Sequence, residues 1–171
     1  MSERKVFILV EDLFEDLEFW YPLIRMREQG YDVVSVAPRK GTYHGKNGLS
    51  AETDAEATEV AAEQADALII PGGYSPDRMR RHPAMVKLVK EIFDRGRPVA
   101  AICHGGWMLA SAGVLKDKTA TGFFSIRDDM ENAGAHWVDR EVAVDGNLIT
   151  SRNPNDLPAF CRAIIEQLEA S

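Results

Sequence analysis

Cysteine is scarce in this chain and long apolar runs are missing, and both absences narrow what it can do. The two cysteines, Cys103 and Cys161, are too far apart for a C-x-x-C pair. Two isolated cysteines make neither a disulfide framework nor a zinc knuckle. Four histidines are scattered at 44, 82, 104 and 136, none at ligand spacing from another, so no metal is expected. No G-x-G-x-x-G follows the first apolar run, which removes the dinucleotide fingerprint and leaves no cofactor expected. That run, Val6 to Val10, is cut short by Glu11 and Asp12. It is too short for a signal-peptide core or a membrane span, so a cytoplasmic protein with no membrane partner is expected. Basic charge is also in deficit: 20 Lys and Arg face 27 Asp and Glu, a net charge of −7. With no basic run either, a nucleic-acid partner is not expected.

Short apolar runs alternate with helical patterns. Val6–Val10, Val33–Ala37, Ala67–Ile70 and Pro98–Ile102 read as buried strands. Helical spacing runs from Leu17 to Arg27, stopping at Gly30, and from Pro83 to Phe93, stopping at Gly96. Further helices are expected over 105–112, 125–132 and 155–168. Asn47-Gly48 marks one hairpin, and Asp145-Gly146-Asn147 separates the strands of another. Continuous apolar strands interleaved with helices imply an α/β fold: an open, mostly parallel sheet with helices on both faces. No linker or repeat divides residues 1–171, so a single domain is expected. Ligands of such sheets bind at strand carboxyl ends near a topological switch point. Three segments leave strand ends here: Glu11–Asp16, Pro71–Asp77 and Cys103–Trp107.

Cys103 stands where Val99-Ala-Ala-Ile gives way to a glycine-rich helix start. A nucleophile on such a turn projects from the sheet, and a helix N-terminus beside it favours a thiolate and an oxyanion. Read alone, the position also suits a small core hydrophobe. His104 is a candidate base, although adjacent side chains at such a turn can diverge. Gly72-Gly73 could bring backbone N–H groups close to a substrate oxygen, or simply form a tight turn. Cys161, inside the last helical pattern, reads as core packing.

Three strings together are more specific: Phe14-Glu15-Asp16, Ile70-Pro71-Gly72-Gly73 and Ala101-Ile102-Cys103-His104-Gly105. With Gly41–Gly48, Ser111–Leu115, Asp128–Gly134, Val144–Asn147, Ser151-Arg152 and Asp156-Leu157, they resemble the PfpI family over nearly the whole chain. That family belongs to the superfamily of the Parkinsonism-associated deglycase and chaperone proteins. The resemblance implies a class I glutamine-amidotransferase-like, flavodoxin-like sandwich with Cys103 as nucleophile. It implies that Glu15, protonated, hydrogen-bonds the sulfur and lowers its pKa. It matches Gly73 and the residues just after Cys103, Gly105 among them, to the family's oxyanion-binding region; Gly72, Trp107 and Phe123 are further candidates for oxyanion or substrate contacts. His104 matches the base of protease-like members, whose acid comes from a neighbouring subunit; here that position is Asp77, one methylene shorter than the family's glutamate. Gly106-Trp107 replaces a common proline, and Phe123-Phe124 replaces a Tyr-Pro pair, implying a more aromatic pocket.

The resemblance thus implies a stress-response enzyme acting on small carbonyl electrophiles or glycated adducts. A protease or amidase acting on peptides is the alternative, and a redox sensor or chaperone using Cys103 oxidation is another. A homodimer or larger homo-oligomer is expected.

Overall fold

The computed structural model describes residues 3–171. Eleven strands form in chain order: β1 (Lys5–Leu9), β2 (Asp32–Ala37), β3 (Thr42–His44), β4 (Ser50–Glu52), β5 (Ala55–Glu56), β6 (Ala67–Ile70), β7 (Val99–Ile102), β8 (Thr119–Ala120), β9 (His136–Trp137), β10 (Ala143–Asp145) and β11 (Leu148–Ser151). Six α-helices accompany them: α1 (Asp16–Glu28), α2 (Ser75–Met79), α3 (Pro83–Asp94), α4 (Gly106–Ala112), α5 (Arg127–Asn132) and α6 (Leu157–Ala170). Seven strands make one sheet in the order β10-β11-β7-β6-β1-β2-β5. Every pairing is parallel except the β10–β11 hairpin. The open, mostly parallel sheet expected from the sequence is therefore the fold.

Alternation along each strand splits the core into two layers, as the pleat requires. Phe7, Leu9, Leu68, Ile70, Val99, Ala101 and Leu148 pack with residues of α3, α4 and α5 on one face. Val6, Ile8, Ala67, Ile69, Ala100, Ile102 and Ile149 pack with α1 and α6 on the other. This two-sided burial is why the strands read as unbroken apolar runs. No described helix is long and apolar enough to cross a membrane.

After β1 the chain moves outward to β2, and after β5 it returns to β6 on the opposite side of β1. The switch point therefore lies between β1 and β6, with β7 next to β6. The three segments singled out in the sequence leave these three strands side by side.

Two of the motifs that carry the family resemblance are braces. Arg152, at the end of β11, binds the buried Asp156 through its backbone N–H (3.0 Å), Nε (2.9 Å) and Nη2 (3.0 Å). This joins β11 to the start of α6. Asp16, in the first turn of α1, accepts the N–H groups of Asn47 (2.9 Å) and Leu49 (2.8 Å). The β3–β4 hairpin, with its turn at Asn47-Gly48, is thereby tied against the start of α1.

Candidate active site

Cys103 directly follows β7 with φ of 61°, a left-handed conformation that costs a non-glycine residue energy. Cys103 and the two residues after it, Cys103–Gly105, form a 3-10 turn before α4 begins at Gly106. The turn is held from both sides. Phe123 N–H donates to the Cys103 carbonyl (3.1 Å). Gly105 lies so close to β6 that a Cβ there would stand 2.8 Å from the Ile70 carbonyl oxygen. Strain sustained by packing of this kind aims the sulfur out of the sheet.

Backbone N–H groups of Gly73 and His104 lie near enough to that sulfur to favour its ionised form. Donors of this kind are able to stabilise an oxyanion formed beside a sulfur. Gly73 is itself left-handed, with φ of 72°. A Cβ there would collide with the Glu15 nitrogen and the Leu13 carbonyl. The segment after β1 braces it: Glu15 N–H donates to Gly72 O (3.2 Å) and Tyr74 N–H donates to Leu13 O (2.9 Å).

The carboxyl against the sulfur belongs to Glu18 and not to Glu15. Glu18 is fully buried, and Oε1 accepts the Gly72 N–H at 2.9 Å. Oε2 has no hydrogen-bond partner among the described residues, and a Cβ at Gly72 would meet both Glu18 Oε1 and Cys103 Cβ, which puts the carboxyl beside the cysteine. Glu15 caps α1, accepting the Glu18 N–H at 2.9 Å on Oε2 and the Asn47 Nδ2 at 3.2 Å on Oε1. An acidic residue three before another at a helix start is a capping pattern. That spacing was the available signal that Glu15 would turn back onto the helix while Glu18 faced inward. The oxyanion expectation for Gly72 is corrected as well. Its N–H is taken by Glu18, and its carbonyl accepts from Glu15 and from Ser75 Oγ (2.8 Å).

Burial, then the Glu15 charge, pushes the Glu18 carboxyl up to about 8, so it is protonated at neutral pH. Burial, then the Glu18 carboxyl, pushes the Cys103 thiol up to about 12. The helix start therefore does not by itself make the thiolate expected from the sequence. Burial outweighs the N–H groups of a short helix. The Glu18 contribution exists only while that carboxyl is ionised, so the two groups titrate as a pair.

His104 Nδ1 lies 3.1 Å from Cys103 Sγ, and its Nε2 lies 3.4 Å from Ser125 Oγ. Burial, then the Lys46 ammonium, lowers the imidazole below its ordinary value and keeps it neutral. Phe123 stacks on the ring (4.8 Å between centroids) and Trp107 meets it edge-on (5.0 Å). Trp107 Nε1–H donates to Asp129 at 2.8 Å, which fixes the indole. Tyr74 and Phe124 stand exposed nearby. Asp77, in α2, is ion-paired with Arg81 at 2.6 Å and does not contact His104 within the chain. Cys161 is 1% exposed in the α6 core layer. Among the described residues no group of His, Cys, Asp and Glu could hold a metal.

The DJ-1/PfpI family profile matches residues 4–167. The chain belongs to the DJ-1/PfpI family. It is 44% identical to "Deglycase PfpI" of Pyrococcus furiosus, over 96% of this chain and 99% of that one. It is 41% identical to "Protein/nucleic acid deglycase 2" of Escherichia coli, over 98% and 99%. Among solved structures, a two-domain protein of Anabaena variabilis with DJ-1/ThiJ/PfpI-like and ferritin-like domains superposes with a TM-score of 0.96 at 46% identity. That match covers 98% of this chain and 48% of the other. The DJ-1/PfpI family thus includes relatives named as deglycases, and the sheet described above is its flavodoxin-like fold.

Proposed function

We propose that this DJ-1/PfpI chain is a cysteine-dependent enzyme acting on small carbonyl electrophiles or their glycated adducts, with Cys103 as nucleophile. One observation carries the reading. The sulfur of the strained Cys103 lies beside two backbone N–H groups, a neutral imidazole and a carboxyl that burial keeps protonated.

The sulfur adds to the carbonyl carbon while the thiol proton passes to His104 Nδ1. The C=O electron pair moves to oxygen, which accepts the N–H groups of Gly73 and His104. The proton then returns to that oxygen, leaving a neutral hemithioacetal with no net redox change. Glu18, uncharged, spares the sulfur an adjacent anion and shares its proton as the adduct forms and breaks. For a 2-oxoaldehyde, proton transfer between the two carbons converts the adduct to a thioester. Water hydrolyses that thioester to a 2-hydroxy acid and restores the thiol.

A second reading, peptide or amide cleavage, is favoured by the 3.1 Å Sγ–Nδ1 contact alone. It would require an acid such as Asp77 from another copy, released from Arg81. Wild type, Cys103→Ala, Glu18→Gln, Glu15→Gln and Asp77→Asn should be compared on methylglyoxal and on a fluorogenic peptide. Cys103→Ala should lose about 10³-fold or more, the scale of a lost nucleophile. Glu18→Gln should lose more than Glu15→Gln. Full methylglyoxal turnover by Cys103→Ala would defeat the proposal, and peptide cleavage abolished in both Cys103→Ala and Asp77→Asn, with methylglyoxal turnover spared in Asp77→Asn, would establish the second reading.

A further inference from the structure

Lys46 is absent from the catalytic assignment above, yet its position relates it to every part of the site. It lies in the turn between β3 and β4, and its N–H donates to the Phe14 carbonyl at 3.0 Å. Phe14 in turn bridges to Gly45 on one side and Gly73, the N–H donor, on the other. Asn47, the next residue, donates to Glu15, and Asp16 holds the turn through two N–H groups. The backbone of Lys46 is therefore fixed beside the site while its side chain is exposed. Its Nζ stands 6.0 Å from the Tyr74 ring centroid, and that ring is 6.4 Å from His104.

Of the seven lysines in the chain, Lys5, Lys40, Lys87, Lys90 and Lys118 form ion pairs. Among the described residues Lys46 and Lys116 form none. The Lys46 charge acts on Glu18, Cys103 and His104 alike. The anions around it are already engaged. Asp16 accepts two N–H groups, Glu15 caps α1, and Glu18 is protonated at neutral pH.

We infer that Lys46 forms an anion subsite beside the Cys103 turn, selecting carbonyl electrophiles that carry a carboxylate next to the reacting carbon, of the 2-oxo-acid type. This rests on the reading of Cys103 as nucleophile. The ammonium would hold the carboxylate while the adjacent carbonyl carbon meets the sulfur and its oxygen meets the Gly73 and His104 N–H groups. Neutral dicarbonyls would lack this hold.

Alkylation of Cys103 by iodoacetate and by iodoacetamide tests the subsite without relying on turnover. The reagents differ by one anionic group, and peptide mapping separates Cys103 from Cys161. A change in thiol ionisation alters both rates equally and cancels in their ratio. The iodoacetate-to-iodoacetamide rate ratio should fall about three- to tenfold in Lys46→Gln at low salt, as expected for one nearby charge in a partly solvated site. The wild-type ratio should also fall as salt is added, and Lys116→Gln should match wild type. An unchanged ratio in Lys46→Gln, with Cys103 still alkylated, overturns the subsite and leaves the nucleophile standing. If neither reagent modifies Cys103, the nucleophile reading itself fails and the subsite with it.

Discussion

At the scale of single residues, the chemistry depends on which proton sits where. Cys103 and Glu18 are both buried and both pushed upward, so each holds the proton that the other could use. The pair should release two protons in steps that belong to neither group alone. Measured as Cys103 alkylation against pH, the wild type is expected to show two inflections. Glu18→Gln, which keeps the shape and removes one titrating group, should show one. His104 has the opposite sign. Burial and then Lys46 depress it, so its acid limb lies below the ordinary value of 6.5. Activity that needs the neutral imidazole should fall only as pH drops through that lowered value. Lys46→Gln removes one of the two causes and should move the limb upward in a pH–kcat/KM profile.

At the scale of elements, the site is a meeting of three turns, and glycine is required where backbone approaches backbone. Gly73 and Gly96 have nearly the same φ, 72° and 73°. A Cβ at Gly96 meets nothing within 4 Å, whereas at Gly73 it strikes the backbone of Leu13, Phe14 and Glu15. Gly96→Ala should therefore cost about 1 kcal/mol, the left-handed penalty alone. Gly73→Ala should cost at least about twice that and weaken the N–H placement. Chemical denaturation of both variants, with methylglyoxal kinetics, checks the comparison. A Gly73→Ala protein no less stable than Gly96→Ala would contradict the bracing described for the segment after β1.

The elements themselves were largely readable. β6 matches its apolar run, and α3 matches its proline start and Gly96 stop within a residue, because two-sided burial and helix ends leave local marks. The short α2 over Ser75–Met79 and the two-residue strands β8 and β9 were not readable. Segments that short carry no period, and neighbours in space decide them.

At the scale of the whole molecule, burying Glu18 makes stability depend on pH. Its folded pKa of about 8 stands above the ordinary 4.5, so the folded state holds a proton that the unfolded chain gives up. That contribution is complete below about 4.5 and is lost as pH rises toward 8. At about 1.4 kcal/mol per pH unit, the loss across this window is on the order of a few kcal/mol. Urea unfolding of wild type and Glu18→Gln at pH 5 and pH 8.5 should show the variant gaining on wild type at the higher pH. A constant difference between the two proteins would place the Glu18 carboxyl at an ordinary pKa.

The sequence alone determined the sheet and the turn that carries Cys103. Those follow from apolar periodicity, turn residues and connection rules, all of which act along the chain. It could not decide which acidic residue of Phe14-Glu15-Asp16-Leu17-Glu18 meets the sulfur. Three carboxyls within four positions differ only in direction, and direction is set by helix geometry and by what packs against it. Tertiary structure turned Glu15 onto the helix end, spent Asp16 on the β3–β4 turn and buried Glu18 beside Gly72. Tertiary structure also brought Lys46, 57 positions before Cys103 in the chain, to a place beside the Cys103 turn, because charge acts through space while sequence patterns record only neighbours along the chain.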